Sequence, residues 1–368
     1  MVRVALGPEK YHKVMAWDFA WPACKLTLPF ATLCFYPERP GWETITNRFN
    51  RMTSSIGIPV VDLALFQQPG TKQDFVKAIG RAYEEVGFVA VTNHGIDHDL
   101  VERFYHQVKA FFGMPREAKK KYEIVELAGQ RGYTSFGREH AKGSDAPDLK
   151  EFWQFGQPGG AETLDPGEYP DNLEVAELPE FNRTGMELYQ NFEQSGRLLL
   201  QSIALHLGLD EHYFDAGIHN GNSILRAIHY PPITEEPNTS IRSEQHEDIN
   251  LITLLVGASA DGLQVLNMQG EWVPVNTTPD MIVVNVGDML QRLTNGRLKS
   301  TTHRVVNPPR DQWHTSRLSV PFFLHPRSEV PLNCLESCTN TERPRQFEDI
   351  TAGAYLRERL IEIGLLKA

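Results

Sequence analysis

From about residue 71 to residue 207, the apolar residues recur at the three- and four-residue spacing of amphipathic helices. The pattern predicts a helix from about 71 to 86 with Gly87 as its C-cap, and a second helix that Asp97 caps. It also predicts a short helix over about 115–122 and a long one over about 184–207. Residues 129–182 are rich in Gly, Pro and Asp, so we expect long loops there, of the kind that border active sites.

After residue 222 the pattern changes to short runs of β-branched and aromatic residues, separated by Gly, Pro, Asn or Asp. The runs are SILRAIHY, INLITLLVG, GLQVLN, EWVPVN, MIVVNVGDML, TTHRVV and RLSVPFFLH. This rhythm is typical of an antiparallel sandwich, barrel or jelly roll. Two earlier strands are predicted at Ile58 to Leu63 and at FVAV, and a closing helix over about 350–366.

The predicted fold class is therefore α+β, with four regions along the chain. Residues 52–221 form a helical N-terminal region with loops, 222–330 the β core, and 331–368 a C-terminal segment with a helix. Residues 1–51 hold three of the six tryptophans and show no regular period. They are either an extension packed on the core or a mis-called start before Met52. We favour the second interpretation, and we expect a chain that starts at Met52 to be soluble and active.

Composition and charge narrow the class of protein. With 41% hydrophobic and 23% charged residues, the 368-residue chain resembles a soluble globular protein. A net charge of −11 argues against nucleic acid as a partner, although a local basic pocket could still take an anionic small molecule. No membrane span or signal peptide is visible, so no membrane partner is expected. Four cysteines without zinc-ligand spacing favour a reducing, cytoplasmic location; they are Cys24, Cys34, Cys334 and Cys338.

The first candidate for chemistry is the pair His246 and Asp248. On a strand, residues i and i+2 project to the same face, so the imidazole and the carboxylate would point together. His303 follows after about four predicted strands and could complete the set from a neighbouring strand. Two histidines and one carboxylate leave coordination positions open, which suits Fe(II) that must bind a cosubstrate and O₂. Taken alone, an isolated His-x-Asp is usually a surface pair.

The second candidate is Arg317 with Ser319, which share a strand face by the same rule. A guanidinium and a hydroxyl bind a carboxylate well, because the guanidinium offers two parallel donors. The alternative is a structural arginine on a surface strand. The flanking sequence RLSVPFFLH is strongly apolar, however, and an arginine there would be costly to bury without an anion.

These stretches together resemble a known family. HEDINLITLL, THRVVN and RLSVPFFLHP look like the isopenicillin N synthase-like branch of the 2-oxoglutarate- and Fe(II)-dependent dioxygenases. IPVVDL, GFVAVTNHGI and LRAIHYPP agree, so that the similarity covers about residues 56–330. The resemblance implies a double-stranded β-helix (jelly-roll) core with the N-terminal helices packed on it.

The resemblance also implies residue roles. His246, Asp248 and His303 match the iron ligands, and Arg317 and Ser319 match the pair that binds the distal carboxylate of 2-oxoglutarate. Tyr230 matches a tyrosine that contacts the cosubstrate. Phe323 matches an aromatic residue that contacts the substrate, although it could equally be a core residue. The sequence departs from the family at Ile228, where many relatives have Asn.

The implied activity is oxidation of a C–H bond in a small-molecule substrate by O₂, with Fe(II) and 2-oxoglutarate, giving hydroxylation, desaturation or ring closure. One alternative is an isopenicillin N synthase-like oxidase, in which the Arg-x-Ser pair would bind the substrate carboxylate and no 2-oxoglutarate is used. Another is a non-catalytic jelly-roll binding module. The substrate, the reaction outcome and the oligomeric state stay open at this point.

Overall fold

A computed structural model describes residues 57–139, 147–158, 169–363 and 365–366. The predictions for the 1–51 extension lie outside these residues. Seven helices lie within the described ranges: α1 Lys72–Glu85, α2 His98–Phe112, α3 Arg116–Lys120, α4 Pro179–His206, α5 Asp215–Ile218, α6 Asp288–Leu293 and α7 Ala352–Glu362. None of the helices in this part of the chain is long and apolar enough to span a bilayer.

The predicted helix ends are confirmed in most cases. The Asp97 side chain accepts a hydrogen bond of 2.9 Å from the backbone N–H of Asp99, as an N-cap does. Gly87 follows α1 with a φ of +77°, a left-handed conformation that favours glycine. Helix α4 begins at Pro179, earlier than predicted, because proline is well suited to the first turn of a helix.

Twelve strands form two sheets in the described residues. The strands are β1 Val60–Asp62, β2 Phe88–Thr92, β3 Gly132–Thr134, β4 Glu151–Gly156, β5 Ile224–Tyr230, β6 Ser243–His246, β7 Ile252–Val256, β8 Leu263–Leu266, β9 Trp272–Pro274, β10 Ile282–Val286, β11 His303–Val305 and β12 Arg317–Leu324. The larger sheet has the order β1-β2-β10-β7-β12-β5-β4-β3, and the smaller has the order β6-β11-β8-β9. All pairs are antiparallel except β1 with β2.

One face of the larger sheet is covered by helices. Phe322 on β12 stacks on Phe192 of α4 with ring centroids 5.4 Å apart, and both side chains are fully buried. Gly196 allows this close approach, because a Cβ there would collide with the Leu324 side chain. The other face of the larger sheet and the smaller sheet together line a cavity. This arrangement is the predicted α+β jelly roll.

Three local predictions were wrong. The stretch 129–182 is not all loop, because β3 and β4 lie in it and extend the sheet beyond β5. With β1 and β2, four strands from the region 52–221 therefore belong to the larger sheet. The run MIVVNVGDML is not one strand, since α6 begins at Asp288 directly after Gly287. The strand at His246 was expected from the His-x-Asp pair alone and was taken to include Asp248, but β6 ends at His246.

Candidate metal centre and anion site

His246 and His303 meet because their strands pair. Strands β6 and β11 are antiparallel neighbours with His246 opposite His303, and the two ring centroids lie 4.4 Å apart. Asp248 was expected on the same strand as His246. Instead it lies just after β6, in the turn that leads to β7. The three side chains converge even so, with ligand atoms all within 4.8 Å of one another.

The orientation of both imidazoles is set by backbone carbonyls. Nδ1 of His246 lies 2.7 Å from the carbonyl oxygen of Glu244, and Nδ1 of His303 lies 3.1 Å from that of Thr301. Since a carbonyl only accepts, each Nδ1 carries the proton and each Nε2 is left with a lone pair. Both Nε2 atoms lie 3.8 Å from Oδ1 of Asp248. Such contacts fix the tautomer and the ring plane of a metal-binding histidine.

The charge state of the three groups suits a cation. Burial and the neighbouring His303 lower the pKa of His246 to about 4, which leaves its imidazole neutral. Burial would raise the pKa of Asp248, but the two histidines and hydrogen bonds from Asn285 and Thr253 lower it. The site therefore presents two imidazole nitrogens and one carboxylate, the donor set of a 2-His-1-carboxylate metal centre.

Arg317 lies at the end of the same cavity and has no anionic partner within the described residues. Its side chain is 2% exposed, and its Nε donates to the carbonyl oxygen of Ala260 at 3.0 Å. Its Nη1 is buried without a hydrogen-bond partner. Tyr230 stands opposite it in the strand register, with its ring centroid 5.1 Å from the guanidinium carbon. A buried, unpaired cation is costly, so this end of the cavity fits a carboxylate ligand.

The cavity has a volume of about 630 Å³ and joins the two candidate sites. Ser319, Tyr230 and Phe323, the other predicted contacts, line it. Ile228 also faces it and stands opposite Ser319 in the register, so it supplies an apolar surface where many relatives have an amide. One side of the cavity is formed by α7 and the turn after it, through Leu356, Arg359, Leu360, Glu362 and Ile363.

A buried ionic network in the cavity wall was missed by the sequence analysis. Lys150 contacts Glu139 at 2.6 Å and Asp148 at 2.8 Å. Arg226 contacts Glu139 at 3.2 Å and donates to the side-chain oxygen of Gln154 at 2.8 Å. Burial would raise the pKa of Glu139, but Arg226 and Lys150 lower it to about 2. No periodicity marks these residues, since all but Arg226 come from the stretch that was predicted as loop.

Arg226 also holds Phe323 in place. Its guanidinium carbon lies 5.2 Å from the centroid of Phe323 and 4.2 Å from that of Phe152. Phe323 is partly exposed to the cavity rather than enclosed in the core. This placement favours the substrate-contact interpretation over the core one.

Three other groups of polar residues take structural positions. His229 stacks on Phe112 and bonds to Glu151 at 2.8 Å, away from the triad. Asn93 and Gly95 both have positive φ, as expected of a turn. Cys334 and Cys338 are free thiols.

Comparisons with known proteins show the family of the chain. A family model described as the N-terminal part of the non-haem dioxygenase in morphine synthesis matches residues 58–174, and the 2OG-Fe(II) oxygenase superfamily model matches residues 221–326. The 2-oxoglutarate-Fe(II) type oxidoreductase hxnY of Emericella nidulans is 31% identical over 316 residues, which cover 81% of this chain and 89% of the relative. The proline hydroxylase buaE of Petromyces alliaceus is 32% identical over 312 residues, which cover 81% and 96%.

Solved structures give the same result. A 2OG-Fe(II) oxygenase family protein from Caulobacter crescentus is 40% identical with a TM-score of 0.76, covering 83% of this chain and 99% of that one. A full-length Neurospora crassa protein in complex with 2-oxoglutarate and thymine is 30% identical with a TM-score of 0.72, covering 82% and 96%. The chain belongs to the 2-oxoglutarate- and Fe(II)-dependent dioxygenase superfamily. It is an oxidoreductase that uses Fe(II), 2-oxoglutarate and O₂, and neither the 2-oxoglutarate-independent oxidase nor the non-catalytic module is favoured.

Proposed function

We propose that His246, Asp248 and His303 bind the Fe(II) and that Arg317 and Ser319 bind the distal carboxylate of 2-oxoglutarate, with Tyr230 beside them. The observation that carries this assignment is the placement of both sites in one cavity. A donor set for a divalent cation and an unpaired buried guanidinium line the same space. 2-Oxoglutarate could then reach both, with its oxo-acid end at the metal and its other carboxylate at Arg317.

Backbone carbonyls and side chains of the protein orient the three metal-binding residues. Bound Fe(II) supplies O₂ activation at the expense of 2-oxoglutarate, for the oxidation of a C–H bond. The Glu244 and Thr301 carbonyls hold the two histidine rings through Nδ1, so that their Nε2 atoms would be directed at the cation. Thr253 and Asn285 each donate to Oδ2 of Asp248, at 2.6 and 2.8 Å, and so orient its other oxygen to the metal.

We further propose that the organic substrate is a small polar ring compound that contacts Phe323 and Arg226. The relatives that support this are the proline hydroxylase and the Neurospora crassa protein that was solved with thymine. Phe323 offers an aromatic surface, and the positive charges of Lys150 and Arg226 are balanced by Glu139 and Asp148. A wall of balanced charge favours a neutral or zwitterionic substrate over a strongly charged one.

Oxygen uptake by the iron-loaded protein tests the function. A screen of cyclic amino acids and nucleobases, each with and without 2-oxoglutarate, should give substrate-stimulated uptake only when 2-oxoglutarate is present. Uptake that needs a substrate but is independent of 2-oxoglutarate would overturn the assignment. Substitution Phe323→Ala should then raise the KM for the substrate that is found and leave the KM for 2-oxoglutarate unchanged.

The cytoplasmic location remains a proposal. It is supported by the low cysteine content of the chain, and fractionation of cells that express the protein would test it.

A further inference from the structure

Arg242 is a second buried arginine near the proposed distal-carboxylate site. It is 1% exposed and lies directly before β6, the strand that carries His246. Its Nη2 donates to the carbonyl oxygen of Thr315 at 3.0 Å, and its Nε is buried without a partner. No carboxylate of the described residues forms an ion pair with Arg242.

Arg242 and Arg317 both lie close to the ring of Tyr230. The guanidinium carbon of Arg242 lies 6.0 Å from the centroid of the Tyr230 ring, and that of Arg317 lies 5.1 Å from the same centroid. The acceptor of Arg242, Thr315, lies two residues before Arg317 at the start of β12. Both cations therefore lie beside the Tyr230 ring, and Arg317 and Tyr230 line the cavity while Arg242 lies behind them.

Two unpaired guanidinium groups in one buried place repel each other. Burial and the nearby Arg317 lower the pKa of Arg242 to about 10, which still leaves it charged at neutral pH. The repulsion and the lost hydration together destabilise the two charged groups. A bound carboxylate would relieve both, and each arginine would then contribute to its binding.

We propose that Arg242 is a specificity-determining residue that supplies a second positive charge at the distal-carboxylate site and so selects 2-oxo dicarboxylic acids over 2-oxo monocarboxylic acids. The inference rests on the proposed function of Arg317. A purely structural Arg242, which fills space and holds Thr315, would affect both classes of 2-oxo acid equally.

Direct binding under anaerobic conditions separates these two roles. The Fe(II)-loaded protein is titrated with 2-oxoglutarate and with 2-oxopentanoate, which has the same chain length but lacks the distal carboxylate. Binding is followed by the charge-transfer absorption of the Fe(II) complex, without turnover. The variants are Arg242→Met, Arg242→Lys and Arg317→Met. Arg131→Met is the matched control, because Arg131 is a fully buried arginine with an unpaired Nη2 that bonds to the Gln130 and Pro170 carbonyls through its other nitrogens.

For Arg242→Met, the Kd for 2-oxoglutarate should rise roughly tenfold, as expected when a charge at this range is removed from a partly desolvated site. The Kd for 2-oxopentanoate should change less than about twofold, because that ligand has no charge to place there. Arg242→Lys keeps the charge and should restore most of the preference, while Arg131→Met should leave it unchanged.

The outcomes distinguish the inference from the function on which it rests. Loss of the preference in Arg317→Met but not in Arg242→Met would overturn the role of Arg242 alone. An unchanged preference in Arg317→Met would overturn the proposed distal-carboxylate site itself. An equal loss of both ligands in Arg242→Met, with a lowered Tm, would show a structural residue only.

Discussion

At the scale of single residues, Asp248 has its carboxylate oriented by hydrogen bonds, so that one oxygen is directed at the proposed cation site. Its Oδ2 accepts hydrogen bonds from Thr253 and Asn285, while Oδ1 faces Nε2 of both histidines. The two donors are buried and lie on β7 and β10 of the larger sheet. The smaller sheet supplies the histidines, so the metal centre connects the two sheets.

Replacing Thr253 by Val should weaken iron binding without unfolding the protein. The change keeps the shape of the side chain and removes the 2.6 Å hydrogen bond to Asp248. Loss of such a supporting contact typically reduces metal affinity about ten- to hundredfold. An anaerobic Fe(II) titration measures this. The control is Thr294→Val, since Thr294 is fully buried but bonds to the Leu290 carbonyl instead. Equal iron affinity in the two variants would contradict the proposed role of Thr253.

Arg317→Lys should raise the KM for 2-oxoglutarate and leave the iron content unchanged. Lysine keeps the charge but loses the bidentate geometry. A charge-assisted hydrogen bond contributes roughly 1.5 to 3 kcal/mol, so a rise of about tenfold to a hundredfold is expected. Steady-state kinetics at saturating substrate test it, with Arg297→Lys as the control, since Arg297 pairs with Glu84 instead. If 2-oxoglutarate is unaffected and the organic substrate binds less well, Arg317 contacts the substrate instead.

At the scale of elements, the strands that the sequence predicted are those with an apolar or β-branched run. Strand β12, RLSVPFFL, is buried along nearly its whole length and was predicted together with its two functional residues. Strand β4, EFWQFG, was missed, although all six of its residues are buried. Its Glu151 and Gln154 have partners far along the chain, Lys119 and Arg226, and these are not visible from local periodicity.

As with the strands, part of the candidate site could be predicted from the sequence and part could not. The three proposed ligands and the Arg-x-Ser pair were predicted from spacing and resemblance. The strand position expected for Asp248 was wrong, because β6 ends at His246. The network of Lys150, Glu139 and Asp148 was not predictable, because Glu139 also pairs with Arg226 of β5 and Asp148 also bonds to Glu244 of β6, both far along the chain. Burial with matched charges is a tertiary property that no local pattern shows.

Substitutions on the cavity side of helix α7 should affect the KM for the organic substrate more than they affect iron binding. Leu356 and Leu360 face the cavity, while Glu358 on the same helix is exposed. Leu356→Ser should raise the KM for the organic substrate severalfold, since it removes apolar surface from the wall. Iron content and the KM for 2-oxoglutarate should stay the same. Glu358→Ser is the control, and an identical kinetic effect in both variants would show that α7 acts only through stability.

At the scale of the whole molecule, buried charge makes stability depend on pH. The pKa of Glu139 is lowered from 4.5 to about 2 in the folded protein. A lowered carboxyl pKa stabilises the fold above the unfolded value, and this contribution is lost as pH falls from 4.5 towards 2. The Tm of the wild type should therefore exceed that of Glu139→Gln at neutral pH, and the difference should shrink as the pH falls through this range. The exposed Glu126→Gln should show no such trend, and a constant difference for Glu139→Gln would contradict the assignment.

In the proposed function, one cavity between the two sheets holds Fe(II) on His246, Asp248 and His303 and 2-oxoglutarate at Arg317. The most direct test is an anaerobic titration of the apoprotein with Fe(II) and then with 2-oxoglutarate, carried out on the wild type, His303→Ala and Asp248→Asn. The wild type should bind one Fe(II) per chain and develop the charge-transfer absorption of the chelate when 2-oxoglutarate is added. The two variants should lose tight iron binding and the absorption while they keep a folded circular dichroism spectrum. Full iron binding with an unaltered absorption in either variant would contradict the account.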